Sequence, residues 1–269
     1  MLDHVHIRLF SCRFVVLTPE RWRLKNIQDS FWRFYANNRD GAFLECSDGC
    51  YPLCRERLYI IPAGVRFDGH LTHDIGHFYV HFDMIGLPYL ARRELFCTPV
   101  CLPHVASLEQ TVREIMQELE PHKEAGLVLQ FRAKAVIYEG LALYLRSLPT
   151  EQLQRCLEFA EALEPVLPAI RHIEANLSSR LLSSELAQMC HMNVDYFTRR
   201  FRECVGQTPV QYIQEQRVKL AAQQLLFTDL SIEQIAANAG FGSRFYFSRI
   251  FTQHTGLSPA AYRKASRYG

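Results

Sequence analysis

Two stretches near the C-terminus repeat one another, and this repeat limits the possible folds more than any other feature. "LAQMCHMNVDYFTRRF" (186–201) aligns with "IAANAGFGSRFYFSRIF" (235–251), with Gly242 as one extra residue in the second copy. Leu186 matches Ile235, Ala187 matches Ala236, Met192 matches Phe241, and Asn193 matches Ser243. Tyr196-Phe197-Thr198-Arg199 then matches Tyr246-Phe247-Ser248-Arg249. The alignment continues through Phe201/Phe251, Gly206/Gly256, Pro209/Pro259 and Tyr212/Tyr262. Self-similarity over about 28 residues means one supersecondary unit used twice.

Each unit reads as helix, tight turn, helix. A large apolar residue followed by alanine in the first helix (about 183–190, then about 232–239) lets a second helix cross closely. Asn193 and Ser243 are N-cap residues for the second helix, and Gly206 and Gly256 end it. Phe197 and Phe201, like Phe247 and Phe251, stand four apart and form one buried face. The opposite face presents Asp195, Thr198, Arg199 and Arg202 in the first copy, and Arg244, Phe245, Ser248, Arg249 and Thr252 in the second. A short cationic, hydroxyl-bearing helix held by its other face has the layout of a recognition helix in a helix-turn-helix. Arginine suits that face because its planar fork bonds guanine N7 and O6 together. A lone surface arginine is ordinarily just solvated, but one at the same offset in both copies favours the binding role.

Between the copies, "PVQYIQEQRVKLAAQQLLFT" (209–228) has helical periodicity. About 17 helical residues span roughly 25 Å, a length that permits two heads in successive major grooves about 34 Å apart. Charge agrees with this. The whole chain is formally +2, yet residues 165–269 hold 12 Lys+Arg against 7 Asp+Glu, while the rest hold 18 against 21. A basic C-terminal part suits a polyanion.

With "QRVKLAAQQLL", "SIEQIAANAGF", "YFSRIF" and "TGLSPAAYRK", residues 165–269 resemble the DNA-binding domain of the AraC/XylS family of bacterial transcription regulators. The resemblance implies two helix-turn-helix units joined by a long helix and bound to double-stranded operator DNA. By position it makes Asp195, Thr198 and Arg199 readers of the first unit, and Arg244, Phe245, Ser248 and Arg249 readers of the second. Phe245 stands where the family commonly has a polar residue, which suits packing on a thymine methyl or sugar. Asp195 is repelled by phosphate and suits cytosine N4.

The N-terminal half has another texture. "RFVVLTP", "FWRFYANNRDGAFLEC", "RLYIIPAGVRFDG" and "HFYVHFDM" read as strands with turns at "RDG" and "PAG", which fits a small barrel or sandwich. The order resembles the cupin-like sensory domain of the same family. The expected class is therefore α+β with two domains: a cupin-like barrel with a helical dimerisation segment (1–150), then an all-α double helix-turn-helix (165–269). "LEPVLPAI" (163–170), with two prolines, marks the boundary, and the linker begins as early as Ser147.

Alternation puts His77, Tyr79 and His81 on one face of a strand and Phe78, Val80 and Phe82 on the other. Turned inward, the first set lines a pocket for a small polar effector, such as a sugar, with Trp32 and Phe34 sharing that interior; satisfied core rings are the competing explanation. The resemblance supports His77 and Tyr79, because the corresponding strand lines the effector pocket of sugar-responsive members.

No metal or other cofactor is assigned. In "PAGVRF", Phe67 stands where metal-dependent cupins place a ligand, and His4-x-His6 lies too early in the chain. Cys46, Cys50 and Cys54 raise a redox, zinc or methyl-accepting role, but the second CxxC such a repair regulator needs is absent. Two alternatives stay open: a metal- or thiol-based sensor or cupin enzyme fused to the DNA-binding part, and a barrel that serves only for pairing. Without a nucleophile–base pair at motif spacing or a phosphate-cradling glycine loop, no catalytic residue is assigned.

Residues 105–148 return to helical stripes, Val105 to Leu119 and then Leu127, Phe131, Tyr138, Leu141 and Leu145. The family resemblance implies that helices here pair two copies into a homodimer, with RNA polymerase as a further partner. The nine cysteines, the absence of an export signal and the lack of a membrane-length apolar run lead us to expect reduced thiols in a cytoplasmic protein.

Overall fold

The computed structural model describes residues 5–87, 89–119, 121 and 123–266. It divides into two compact units, one comprising most of the chain up to Leu153 and the other beginning at Gln154, with residues 89–92 clustering with the second.

The N-terminal unit is built on two antiparallel sheets. Its strands are β1 (His6–Leu17), β2 (Leu24–Ile27), β3 (Trp32–Asn37), β4 (Ala42–Cys46), β5 (Gly49–Leu53), β6 (Leu58–Ile61), β7 (Phe67–Leu71), β8 (Ile75–Ile85) and β9 (Val100–Cys101). One sheet has the order β1-β8-β3-β6-β9 and the other β2-β7-β4-β5. A core of Trp22, Tyr35, Leu44, Leu53, Ile61, Phe67 and Leu71 joins their facing sides. The "RDG" and "PAG" turns fall between β3 and β4 and between β6 and β7, as expected, with Gly41 and Gly64 at positive φ. Helices α1 (Tyr89–Leu95), α2 (Ala106–Glu118) and α3 (Leu127–Ser147) follow, then α4 (Thr150–Leu163).

Tyr144 on α3 donates from its hydroxyl to Leu95 O at 2.7 Å, and Phe96 packs edge-on against Trp32 with ring centroids 5.0 Å apart. The helical layer therefore covers the face of the five-stranded sheet turned away from the other sheet. The stripe expected on α3 divides in two. Leu141 is buried beside Val136 and Ile137, whereas Leu127, Phe131 and Tyr138 are exposed together with Val128.

In the C-terminal unit the segment "LEPVLPAI" (163–170), expected as the boundary, is helical. Leu163–Ile170 runs from the end of α4 through a single 3-10 turn (Glu164–Val166) into α5 (Leu167–Ala175), and Val166, Ala169 and Ile170 lie in the core. Pro165 and Pro168 occupy first-turn positions of those two elements, where the missing N–H breaks no bond.

The repeat then unfolds as read: α6 (Ser183–Met189) and α7 (Val194–Val205), the connecting α8 (Pro209–Phe227), then α9 (Ile232–Asn238) and α10 (Arg244–Thr255), closed by α11 (Pro259–Ser266). The two copies build two separate cores. Phe197, Phe201, Tyr212 and Ile213 belong to the first, and Val218, Leu225, Phe247 and Phe251 to the second.

Candidate nucleic-acid interface and ligand face

Local chemistry places both candidate recognition helices. In α7 the Asn193 carboxamide accepts the Tyr196 N–H at 2.9 Å, and in α10 the Ser243 hydroxyl accepts the Tyr246 N–H at 3.2 Å. Gly206 and Gly256 end these helices at φ 84° and 75°, the left-handed conformation that favours glycine. Phe197 and Phe201 pack edge to face at 5.5 Å, and Phe247 and Phe251 at 5.4 Å, all four fully buried. Capping boxes at Thr208/Gln211 and Ser231/Gln234 fix the starts of α8 and α9.

What these anchors hold outward agrees between the copies at Thr198/Ser248 and Arg199/Arg249 and differs around them. Asp195, Arg199, Arg202, Arg244, Phe245 and Arg249 are exposed, and Thr198 and Ser248 are half-buried at the edge of the same faces. Arg199 lies over the Tyr196 ring at 5.4 Å, and Arg249 over Tyr246 at the same 5.4 Å. A guanidinium resting on a tyrosine face keeps its fork free while losing part of its rotamer freedom beforehand, which lowers the ordering cost of a contact. Arg244 differs from them, pairing with Glu233 on α9. Phe245 is 88% exposed, an unusual state for a phenylalanine on a well-packed domain.

In the N-terminal unit the sheet register sorts the expected effector residues onto two faces. Across β1, β8 and β3 run three rows: Ser11/His81/Arg33, Arg13/Tyr79/Tyr35 and Val15/His77/Asn37. This side meets the second sheet, so His77, Tyr79 and His81 do turn inward. Trp32 and Phe34 do not join them. They pair across with Phe82 and Val80 on the opposite side of the sheet, where Trp32 meets Phe96 and Phe34 meets Phe78. Residues directly opposite in antiparallel strands share a face, so their parity excludes both rings from the inter-sheet space.

In their place stand groups that the sequence did not advertise. Arg33, 5% exposed, pairs with Asp29 and lies between the rings of Phe31 (4.4 Å) and Phe67 (5.3 Å). At the edge of the sheet, Arg13 and the Ser11 hydroxyl both donate to the Glu124 carboxylate, at 2.5 and 3.0 Å. His77 Nδ1 is 2.7 Å from Asn37 Oδ1, and Asn37 donates in turn to Leu53 O at 3.1 Å. Burial pushes the His77 imidazole down to about 3, so at neutral pH it is uncharged and donates its Nδ1–H to Asn37. Burial, helped by the nearby Arg33, also holds His81 well below the ordinary imidazole range. The Ser30 hydroxyl is buried without a hydrogen-bond partner among the described residues.

No group of three or more His, Cys, Asp or Glu among the described residues is arranged to hold a metal ion; His4 lies outside them. Burial raises the Cys46 thiol to about 11, so it is protonated rather than a thiolate at neutral pH. No helix among the described residues is long and apolar enough to cross a membrane.

A helix-turn-helix domain model matches residues 186–265. The MmsAB operon regulatory protein of Pseudomonas aeruginosa is 33% identical over 98 residues, 36% of this chain and 32% of that protein. The bifunctional transcriptional activator/DNA repair enzyme AdaA of Bacillus subtilis is 28% identical over 173 residues, 64% of this chain and 72% of that one. Apo ToxT from Vibrio cholerae shares the fold at a TM-score of 0.53 and 11% identity, over 97% of each chain. Residues 186–265 therefore form a helix-turn-helix domain, and this part resembles that of a putative AraC-like transcription regulator of Streptomyces antibioticus, 27% identical over 167 residues, 62% of this chain and 54% of that one. The helix-turn-helix domain follows an antiparallel β-sheet domain in the two-domain order seen in ToxT. The match covers only about a third of the length of the MmsAB regulator.

Proposed function

We propose that this protein regulates transcription by binding operator DNA with α7 and α10 and is controlled by a small effector held on the inward polar face of the N-terminal unit. The observation that carries the proposal is the duplicated Tyr–Arg stack: two cations, pre-set at the same offset on two capped helices and turned to solvent. Arg199 and Arg249 read bases, Thr198, Ser248 and Arg202 bond phosphates or base edges, and Phe245 offers an apolar contact to a thymine methyl. Arg244 exchanges Glu233 for a phosphate or base on binding.

On the ligand side, the rows containing Arg33, His77, Tyr79 and His81 present fixed donors and ring faces to a small polar, ring-shaped metabolite. The exposed apolar face of α3, at Leu127, Val128, Phe131 and Tyr138, pairs two copies into a homodimer. RNA polymerase is the partner through which bound protein acts, in the cytoplasm. The effector works by binding the DNA-competent and incompetent arrangements with unequal affinity.

The test is Arg249→Ala in the full chain. Specific binding weakens by about 1–3 kcal/mol and one base position loses its preference. A footprint and base preferences identical to wild type would remove Arg249 from the interface.

A further inference from the structure

The two heads have separate cores, so something must set the distance and angle between them. Helix α8 serves both: its residues Tyr212 and Ile213 are buried in the first core, and Val218, Ala221 and Leu225 in the second. Between those groups lie only Gln214, Glu215, Gln216 and Arg217, a polar step that belongs to neither core. These four side chains join neither core, so neither core by itself fixes the angle between the heads.

The structure supplies a direct strut at this point. Arg217 donates from Nε to Leu177 O at 2.9 Å and from its terminal guanidinium nitrogen to Ser179 O at 2.7 Å. Both carbonyls belong to the segment between α5 and α6, within the first head. The turn of the second head reaches the same place. A Cβ added at Gly240 would sit 2.1 Å from Leu177 O and 2.9 Å from Arg217 Nε. One carbonyl of the first head thus meets the linker arginine and the backbone of the second head's turn at once. Gln214, one helical turn earlier, donates to the Tyr246 hydroxyl at 3.0 Å, tying α8 to the tyrosine that carries Arg249.

The repeat itself shows that the glycine serves this contact. Gly240 aligns with His191 in the first copy, and both are left-handed, at φ 80° and 55°. The fold therefore tolerates a histidine in that conformation where the turn faces solvent, and His191 is exposed. Backbone conformation alone does not demand glycine at 240; the approach of Leu177 does.

We propose that Arg217 and Gly240 form a lock that holds the two helix-turn-helix heads at one fixed separation, making Arg217 a positioning residue for DNA recognition rather than a contact to DNA. The proposal rests on the DNA-binding function above and deepens it: recognition depends on the spacing of two half-sites as well as on their bases. A rigid pair of heads gains affinity only on duplexes whose half-sites match its span, and loses it when they do not.

The experiment takes a duplex selected from a random pool by the wild-type chain, together with derivatives carrying one or two base pairs inserted between the half-sites. For the wild type, two inserted base pairs reduce affinity by about a hundredfold. Arg217→Ala binds the original spacing about tenfold more weakly but loses less than about fivefold on insertion, while its affinity for each isolated half-site is unchanged. Arg217→Lys, which keeps the charge and one hydrogen bond, falls between the two and serves if the alanine variant folds poorly. Gly240→Ala relaxes spacing in the same sense. Parallel spacing curves for wild type and Arg217 variants overturn the lock while leaving DNA binding intact. Failure of the wild type to select any duplex overturns the DNA-binding function itself, and the lock with it.

Discussion

The two units put their chemistry on opposite sides of their cores. In the C-terminal unit the buried face is aromatic and the polar groups point outward, with Phe197 and Phe247 fully buried and Arg199 and Arg249 exposed. In the N-terminal unit the polar groups point inward: Arg33, Asn37 and His77 are each at most 5% exposed, packed among rings. An outward interface suits a large partner that brings its own charge and water. An inward face suits a small ligand, and it leaves the domain dependent on every buried polar group finding a partner. The contrast also means that damage in the two units should look different.

The largest effect is expected from the aromatic anchors. Phe197→Ala and Phe247→Ala each remove a fully buried ring and cost about 3–5 kcal/mol, read by urea unfolding of the full chain. Because the cores are separate, each variant should lose one half-site and keep the other. Simultaneous loss of both would break the picture of two heads with separate cores.

Acid should strike the other unit. Below the ordinary imidazole range the unfolded chain takes up protons that the folded N-terminal unit refuses, since His77 and His81 are held neutral by burial. Stability is therefore complete above about pH 6.5 and falls as pH drops towards 3. Between pH 6.5 and 5 the loss is about 2 kcal/mol for His77, and His81 acts in the same direction. His77→Gln should flatten the pH dependence of melting; an unchanged slope would show that His77 is not the group responsible.

Smallest are the caps. Asn193→Ala and Ser243→Ala each cost about 1 kcal/mol of stability, and by fraying the starts of α7 and α10 they weaken DNA binding.

This outward–inward difference also explains what was legible in the sequence. The heads show their organisation within single stretches: an N-cap, two phenylalanines four apart, a closing glycine, and the same arginine offset repeated. Every expected recognition residue accordingly lies on the outer faces of α7 and α10. The inward face of the N-terminal unit is instead assembled across strands. Alternation correctly grouped His77, Tyr79 and His81, but which residues of β3 join them depends on register with β8, and no single strand carries that information. The register puts Trp32 and Phe34 on the outer side and Arg33, between them in sequence, on the inner one, opposite to the side expected for the two rings. Glu124 lies 111 residues from Arg13 and could not be linked to it by spacing. Arg217 was visible within "QRVKLAAQQLL", yet its partners are carbonyls 38 and 40 residues away. Pro165 and Pro168 suggested a boundary because proline breaks helices in their interior, whereas both sit at helix starts.

The most direct measurement is equilibrium binding of the full chain to a pool-selected duplex and to a scrambled duplex of equal length across a salt series. The selected duplex should be held about a thousandfold more tightly, and both affinities should fall linearly with the logarithm of salt concentration as phosphate counterions are released. Equal affinity for the two duplexes at every salt concentration would contradict a pair of base-reading heads on this protein.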